Sequence, residues 1–382
     1  MLAYYNITQQ GESHIEKDIT CQDYSLTERV ANDELGLECV IGALSDGVGA
    51  CSFSNVSSEI ACKAVVRKLK EYICTLKEEP EDIEAEKKME EAFLMALIDI
   101  FQYVVNKNDR IEDYECTLTA FLYNGDKLTY GHIGDDGIVC LFNDGSYKMV
   151  TERNTGNEIN MVIPLRARKI WSFGTVSGVS AAVACTDGVL NCFVDQKRMN
   201  NRVFYPFIES VFSTTLDTEE KVQDLKSEWE NYFSRDDFRK KVKDDLTMLV
   251  VQSPDKMPSS QSIEFDFEKW DQETKEQKKK DNEILYKDYY EYKRMKQKMD
   301  TSTGNTSTND DENLQDAVDK TTEALADFIN STAKLTGCTG KLIEKAVEKI
   351  MERIDEIPDD APKTANPTLH GDKSYDEITV EI

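Results

Sequence analysis

A set of aspartates stands where apolar runs of this sequence begin or end. Asp23 lies in Cys-Gln-Asp-Tyr-Ser-Leu, and Asp46 in Ala-Leu-Ser-Asp-Gly-Val-Gly. Asp135 follows an apolar run in His-Ile-Gly-Asp-Asp-Gly, and Asp187 follows another in Ala-Cys-Thr-Asp-Gly-Val. Asp244 and Asp245 precede Leu-Thr-Met-Leu-Val-Val. A single Asp-Gly needs no function, because it makes a turn. The set invites a different reading, since strands that each carry a carboxylate at one end can bring those carboxylates together. Clustered like charges repel unless a cation neutralises them. Hard divalent ions such as Mg²⁺ and Mn²⁺ favour oxygen ligands of this kind.

Other routes to chemistry are missing from the sequence. Cys192 is followed six residues later by Arg198, but the Phe-Val-Asp-Gln-Lys between them has no glycine of a phosphate-cradling loop and Met199 follows, and no Gly-x-Ser-x-Gly elbow occurs. The run Thr336-Gly337-Cys338-Thr339-Gly340-Lys341 is too short for a phosphate-binding P-loop, and Leu342 replaces its Ser or Thr. The ten Cys contain no Cys-x-x-Cys pair, and the three His are far apart, which argues against a zinc site.

The elements that must position the aspartates follow from periodicity. Residues 115–123 and 126–133 read as strands joined at Asn124-Gly125, a strong hairpin signal. Residues 137–142 and 146–150 form a second pair turning at Asp144-Gly145, and 38–45, 180–186 and 246–252 read as buried strands. Between them, Cys62, Val65, Val66, Leu69, Ile73 and Leu76 make one helical stripe. Met89, Phe93, Ile100 and Val104 make a second, over 85–106. Strands, two adjacent helices and further hairpins predict an α+β fold with a largely antiparallel sheet.

Composition changes near residue 252. The expected organisation is a first domain over 1–252, a linker with a charged helix over 253–312, a helical hairpin over 313–356, and a disordered tail over 357–382. Within 271–299, Leu285, Tyr289, Tyr292 and Met299 share one helical face, and 301–311 is a polar spacer. Leu314, Val318, Leu325 and Phe328, then Ile343, Val347, Ile350 and Ile354, give the hairpin its stripes, with a partner protein or the first domain as its docking surface.

At this point the sequence resembles a family. Cys-Gln-Asp (21–23), Ser-Asp-Gly-Val-Gly (45–49), Glu-Cys-Thr-Leu-Thr-Ala (115–120), Gly134-Asp135, Ala-Cys-Thr-Asp-Gly-Val-Leu (184–190) and Asp-Asp-Leu-Thr (244–247) occur in the order seen in type 2C protein phosphatases. These are the metal-dependent PPM class of Ser/Thr phosphatases, and the opening Gly11-x-Ser13-His14 resembles their bacterial branch. The resemblance covers roughly residues 10–252. It implies a sandwich of two antiparallel β-sheets flanked by helix pairs, here followed by a C-terminal helical region. It also implies hydrolysis of phosphoserine and phosphothreonine in proteins through a water activated by Mn²⁺ or Mg²⁺. By the resemblance, Asp46 bridges two ions, the Gly47 carbonyl binds the second, and Asp187 and Asp244 complete the first. Asp23 holds water in the second ion's shell, and Asp135 with Asp187 holds a third ion.

Four positions depart from the family pattern. Gln22 replaces a common Glu, Val48 stands where some relatives have a His, and Asp136 adds a charge where a small residue is usual. Asp18 occupies the place of a phosphate-binding Arg, leaving His14 or Lys17 as a substitute. The missing Arg supports an alternative, a pseudophosphatase that binds phosphoproteins without turnover. The implied partner is a phosphorylated protein, a Ser/Thr kinase or its target.

Charge narrows the field further. With 46 basic and 73 acidic residues, the net charge is −27, which excludes sequence-independent nucleic-acid binding and attraction to an anionic membrane. No run of 18 apolar residues occurs. The N-terminus lacks the basic and apolar regions of a signal peptide. A cytoplasmic protein with reduced thiols is the expectation.

Overall fold

The computed structural model describes residues 1–154, 162–195, 202–258, 266–270, 272–276 and 279–280. These belong to the first of the chain's two compact units, Met1–Lys298. The chain runs β1 (Ala3–Gln9), α1 (Glu12–Glu16), β2 (Tyr24–Asn32), β3 (Leu37–Ser45), α2 (Ser54–Thr75) and α3 (Asp82–Lys107). It continues through β4 (Leu118–Tyr123), β5 (Leu128–Ile133), β6 (Gly137–Phe142), β7 (Tyr147–Met149), β8 (Ser172–Val176) and β9 (Val179–Cys185). Then come α4 (Asp187–Leu190), β10 (Val194–Asp195), β11 (Arg202–Val203), α5 (Tyr205–Val211), α6 (Glu219–Phe233), α7 (Asp236–Arg239) and β12 (Leu246–Gln252).

Two five-stranded antiparallel sheets result, with strand orders β1-β12-β9-β6-β7 and β2-β3-β4-β5-β8. The sequence makes them bury both faces. In β3, Cys39, Ile41 and Ala43 meet the helices α2 and α3, while Val40 and Leu44 face the other sheet. In β9, Ala181, Val183 and Cys185 pack toward the helices on the far side, and Ala182 and Ala184 face inward. Alternation of side chains along a strand delivers one set to each side. The outcome is a four-layer α/β/β/α sandwich, as the family resemblance implies. Its inner layer is built from Leu44, Phe121, Tyr123, Leu128, Ile138 and Leu249, among others.

The expected strands and both expected helices are present. α2 begins earlier than its apolar stripe, at Ser54, and α3 ends at Asn108 in the left-handed conformation, whose N–H closes on Val104 and Val105 carbonyls. The Asn124-Gly125 turn is held by Asn124 Oδ1, which accepts N–H bonds from Asp126 and Lys127 at 3.1 and 2.8 Å. Beyond the expectations, the structure adds β1, β2, β8 and the short β10–β11 ribbon. It also adds α6, whose Val222, Leu225, Trp229 and Phe233 pack on the first sheet and whose N-cap Thr218 accepts from the Lys221 N–H. Past Gln252 the chain stays attached: the Ser253 N–H donates to the Ser180 carbonyl at 2.8 Å. Farther on, the Trp270 ring lies tilted against Phe204 with centroids 5.4 Å apart, and the Arg202 guanidinium lies 4.2 Å from the Trp270 ring. The hairpin expected at 313–356, the tail at 357–382 and most of the charged helix at 271–299 lie outside the described residues.

Candidate metal centre

Register brings the aspartates to one end of the sandwich. Tyr24 pairs with Ser45, so Asp23 and Asp46 flank the same end of β2 and β3. Cys185 pairs with both Met248 and Gly137, so Asp187, Asp244 and Asp136 stand at the corresponding end of the other sheet. Asp135 and Asp136 sit where the chain leaves β5 in one sheet and enters β6 in the other.

Backbone bonds hold Asp46 in place. Its N–H donates to Thr117 Oγ1 at 2.8 Å, and its carbonyl accepts from the Thr117 N–H at 2.8 Å. The Thr117 hydroxyl, already accepting from Asp46, gives its proton to Asp136 Oδ2 at 2.5 Å. Thr186 plays the matching part in the other sheet. Its hydroxyl accepts the Thr247 N–H at 3.2 Å and donates to Asp23 Oδ2 at 2.8 Å. Asp135 Oδ2 takes the Arg153 guanidinium at 3.1 Å.

The electrostatics are those of crowded, buried like charges. Asp23, Asp135 and Asp136 are buried, whereas Asp46 and Asp187 keep part of their surface open. Burial, with the Asp135, Asp244 and Asp23 charges adding to it, pushes Asp187 up to about 8. Burial and then Asp245 push Asp23 up to about 7, against hydrogen bonds from Thr247 and Thr186. Asp46 is raised well above the carboxylate range by burial and by Asp23, Asp187, Asp136 and Asp135. Asp136 is raised by burial and then by Asp135, and Asp135 by burial despite Arg153. The Cys21 thiol is also pushed up, by burial and then by Asp245 and Asp23, which disfavours its thiolate.

Among the described residues, one carboxylate oxygen each from Asp46, Asp135 and Asp136 lie within 4.8 Å of one another. Asp187 and Asp244 border this group without joining it. Asp244 is exposed, and its Oδ1 accepts the Asp245 N–H at 2.9 Å. His14 is directed elsewhere: its Nδ1 lies 2.9 Å from Asp245 Oδ1, off the line a hydrogen bond needs. Lys17 and Asp18 are exposed on the turn that follows α1. The glycines Gly47 and Gly188 make close approaches to protein. A Cβ on Gly47 would stand 2.8 Å from the Ser54 Cβ and 2.9 Å from the Gln22 carbonyl oxygen, and one on Gly188 would overlap the Asp245 carbonyl.

Asp245 is a residue whose part sequence reasoning missed. It is buried, and its carboxylate accepts the Gly11 and Gln22 N–H groups at 2.6 Å each. It thereby ties the 11–22 segment, and with it Asp23, to the start of β12. Strand alternation was the available signal: in an Asp-Asp pair entering a strand, one side chain faces out and the other in. Thr117 and Thr186 lie inside the motifs at 115–120 and 184–190, where the sequence assigned them no part, and Arg153 was missed for want of any pattern before the sheets are assembled.

A family profile described as protein phosphatase 2C matches residues 10–229, and the chain belongs to that family. No curated protein matches it. Among solved structures, it is similar to a bacterial serine phosphatase carrying a point mutation, at 14% identity over 66% of this chain and 98% of that one, with a TM-score of 0.46. The serine/threonine phosphatase Stp1 from Staphylococcus aureus gives 13% identity over 66% and 95%, TM-score 0.43. The catalytic domain of the phosphatase PstP, solved with two manganese ions, gives 17% over 66% and 97%, TM-score 0.43. No helix of the described residues is long and apolar enough to cross a membrane.

Proposed function

We propose that this protein hydrolyses phosphoserine and phosphothreonine in proteins, with Mn²⁺ or Mg²⁺ bound at the carboxylate cluster. The observation that carries the reading is the convergence of Asp23, Asp46, Asp135, Asp136 and Asp187 from both sheets in a chain of this family. The donors suit such ions, being all oxygen. Asp135 Oδ1 and Asp136 Oδ1 are moreover buried without a hydrogen-bond partner among the described residues. A divalent ion relieves both the repulsion and the orphaned oxygens.

In this reading Asp46, Asp187, Asp244 and the Gly47 carbonyl would hold the metal, with Asp23 and Asp135 beside them. Bound ions supply a water acidic enough to attack phosphorus near neutral pH and positive charge for the phosphoryl oxygens. The chain's own residues do the positioning. Thr117 and Thr186 each aim a carboxylate, Arg153 offsets Asp135, and Asp245 holds the 11–22 segment against β12. His14 lies beside that clamp, its Nδ1 2.9 Å from Asp245 Oδ1. Phosphate passes directly to water: the bond to the Ser or Thr oxygen breaks as the new P–O bond forms. The substrate is a phosphorylated protein, a kinase or its target, and the setting is the cytoplasm.

One observation favours a second reading, a pseudophosphatase. The position of the expected phosphate-binding Arg is an exposed Asp18 with φ of 55°, and His14 is turned to Asp245. The test is phosphate release from a phosphothreonine peptide with Mn²⁺, with Mg²⁺ and with EDTA. Metal-dependent release supports the enzyme. EDTA-resistant release sinks the metal mechanism, and phosphopeptide binding without release supports the second reading.

A further inference from the structure

Asp136 has no task in the ligand set above. Its carboxylate is nevertheless 0% exposed. Its two oxygens differ. Oδ2 takes the single Thr117 hydroxyl proton at 2.5 Å. That proton has no competing acceptor, because the Thr117 oxygen is itself accepting the Asp46 N–H at 2.8 Å. Oδ1 is fully buried and has no hydrogen-bond partner among the described residues. A buried carboxylate oxygen left unpaired is costly, and proteins pair such groups or place them on metals. The nearest guanidinium, Arg153, is engaged by Asp135 Oδ2 at 3.1 Å, which leaves Asp135 Oδ1 orphaned as well.

These orphaned groups and Asp46 stand close together. One oxygen from each of Asp46, Asp135 and Asp136 lies within 4.8 Å of the other two. An octahedral ion with oxygens at about 2.1 Å spaces its ligands about 3–4 Å apart, so modest rotamer adjustment lets one ion touch all three. We infer that Asp136 is a metal ligand of this chain, forming with Asp46 and Asp135 a three-carboxylate site for a divalent cation. The inference rests on the reading of the cluster as a metal centre and adds a ligand to it. Thr117 is the device that presents the group, since it fixes Oδ2 and leaves Oδ1 to the ion.

The test is calorimetric titration of the full chain with Mn²⁺, compared with Asp136→Asn and Asp136→Ser. Asn keeps an acceptor for Thr117, and Ser restores a small residue. Both variants are expected to lose one Mn²⁺ from the stoichiometry, or to bind one ion at least about 10-fold more weakly, while the other sites titrate as before. Their metal-free melting temperatures should equal or exceed the wild type's, because a repelling charge has gone. Unchanged stoichiometry and affinity in the variant that folds would overturn the inference and leave Asp136 a buried acid outside the metal centre. A wild-type chain that binds no Mn²⁺ overturns the metal-centre reading itself, and the inference with it.

Discussion

At the scale of single residues, charge and hydrogen-bond accounting make two predictions. Asp46 is held by Thr117 on both sides of its peptide and sits amid four other carboxylates. Asp46→Asn keeps its shape, so the fold should survive. Turnover of a phosphothreonine peptide should fall by at least about 100-fold, about 3 kcal/mol of transition-state stabilisation. Near wild-type turnover would remove Asp46 from the site. Asp245 answers to a different accounting. Asp245→Ala strands two buried N–H groups, Gly11 and Gln22, and each orphan costs about 1–3 kcal/mol. Urea unfolding of the metal-free protein should therefore show a loss of about 2–5 kcal/mol, and a loss below about 0.5 would mean the clamp is not what holds this segment. Much of the residue-scale picture was readable: Asp23, Asp46, Asp135 and Asp187 announce themselves as carboxylates beside apolar runs. Asp136 was visible only as an unexplained extra charge. Its burial depends on a crossing between sheets that no local pattern encodes.

At the scale of elements, the strands legible in the sequence are those buried on both faces. β3, β4, β9 and β12 read as apolar runs because helices cover one side and a sheet the other. The strands that escaped, β1, β2 and β8, are all sheet edges. β2 and β8 are half-buried along most of their length, so polar and apolar residues mix and the signal fades. β1 does alternate, with Ala3, Tyr5 and Ile7 buried on the helix-covered face, and a stricter period-two count would have found it. An inner strand also carries a pH signature. In β5, His132 is fully buried beside Thr119 Oγ1 at 2.8 Å, and burial pushes it down to about 4. In the unfolded chain it protonates near 6.5. The folded form thus disfavours the charged ring, so the stability this group contributes is complete above about 6.5 and is lost as pH falls through about 4. His132→Gln should flatten the acid limb of the stability curve by an amount of order 3 kcal/mol between pH 7 and 4. Parallel curves for the two proteins would show that the imidazole is not the acid-sensitive group.

At the scale of the whole molecule, the question is where the catalytic body stops. The composition shift near residue 252 coincides with the end of β12. The chain nevertheless keeps contact beyond it, through Lys256 with Asp126 at 2.6 Å and through Trp270 and Glu273 with Phe204 and Arg202. We place the metal-dependent activity within 1–252 and assign these later contacts a supporting part. The reference is a chain ended at Lys298, where the first compact unit stops. One ended at Gln252 should still hydrolyse p-nitrophenyl phosphate but melt several degrees lower, at roughly 2–4 °C per kcal/mol lost. An insoluble 1–252 fragment would move the boundary past residue 276. The pairing of β1 with β12 has a consequence for how the protein is born. Among the described strands β1 is made first, and its one partner in the sheet is made last, joined from Ala3↔Gln252 to Gln9↔Leu246. At about 5–20 residues per second, a ribosome needs roughly 10–50 s to reach Leu246 after finishing Gln9. Throughout that interval the nascent chain displays an unmatched strand edge, open to pairing with any neighbouring chain. The sheet that supplies Asp187 and Asp244 therefore closes only once β12 has been made, which ties the birth of the proposed metal site to the completion of the strand order rather than to any local folding event.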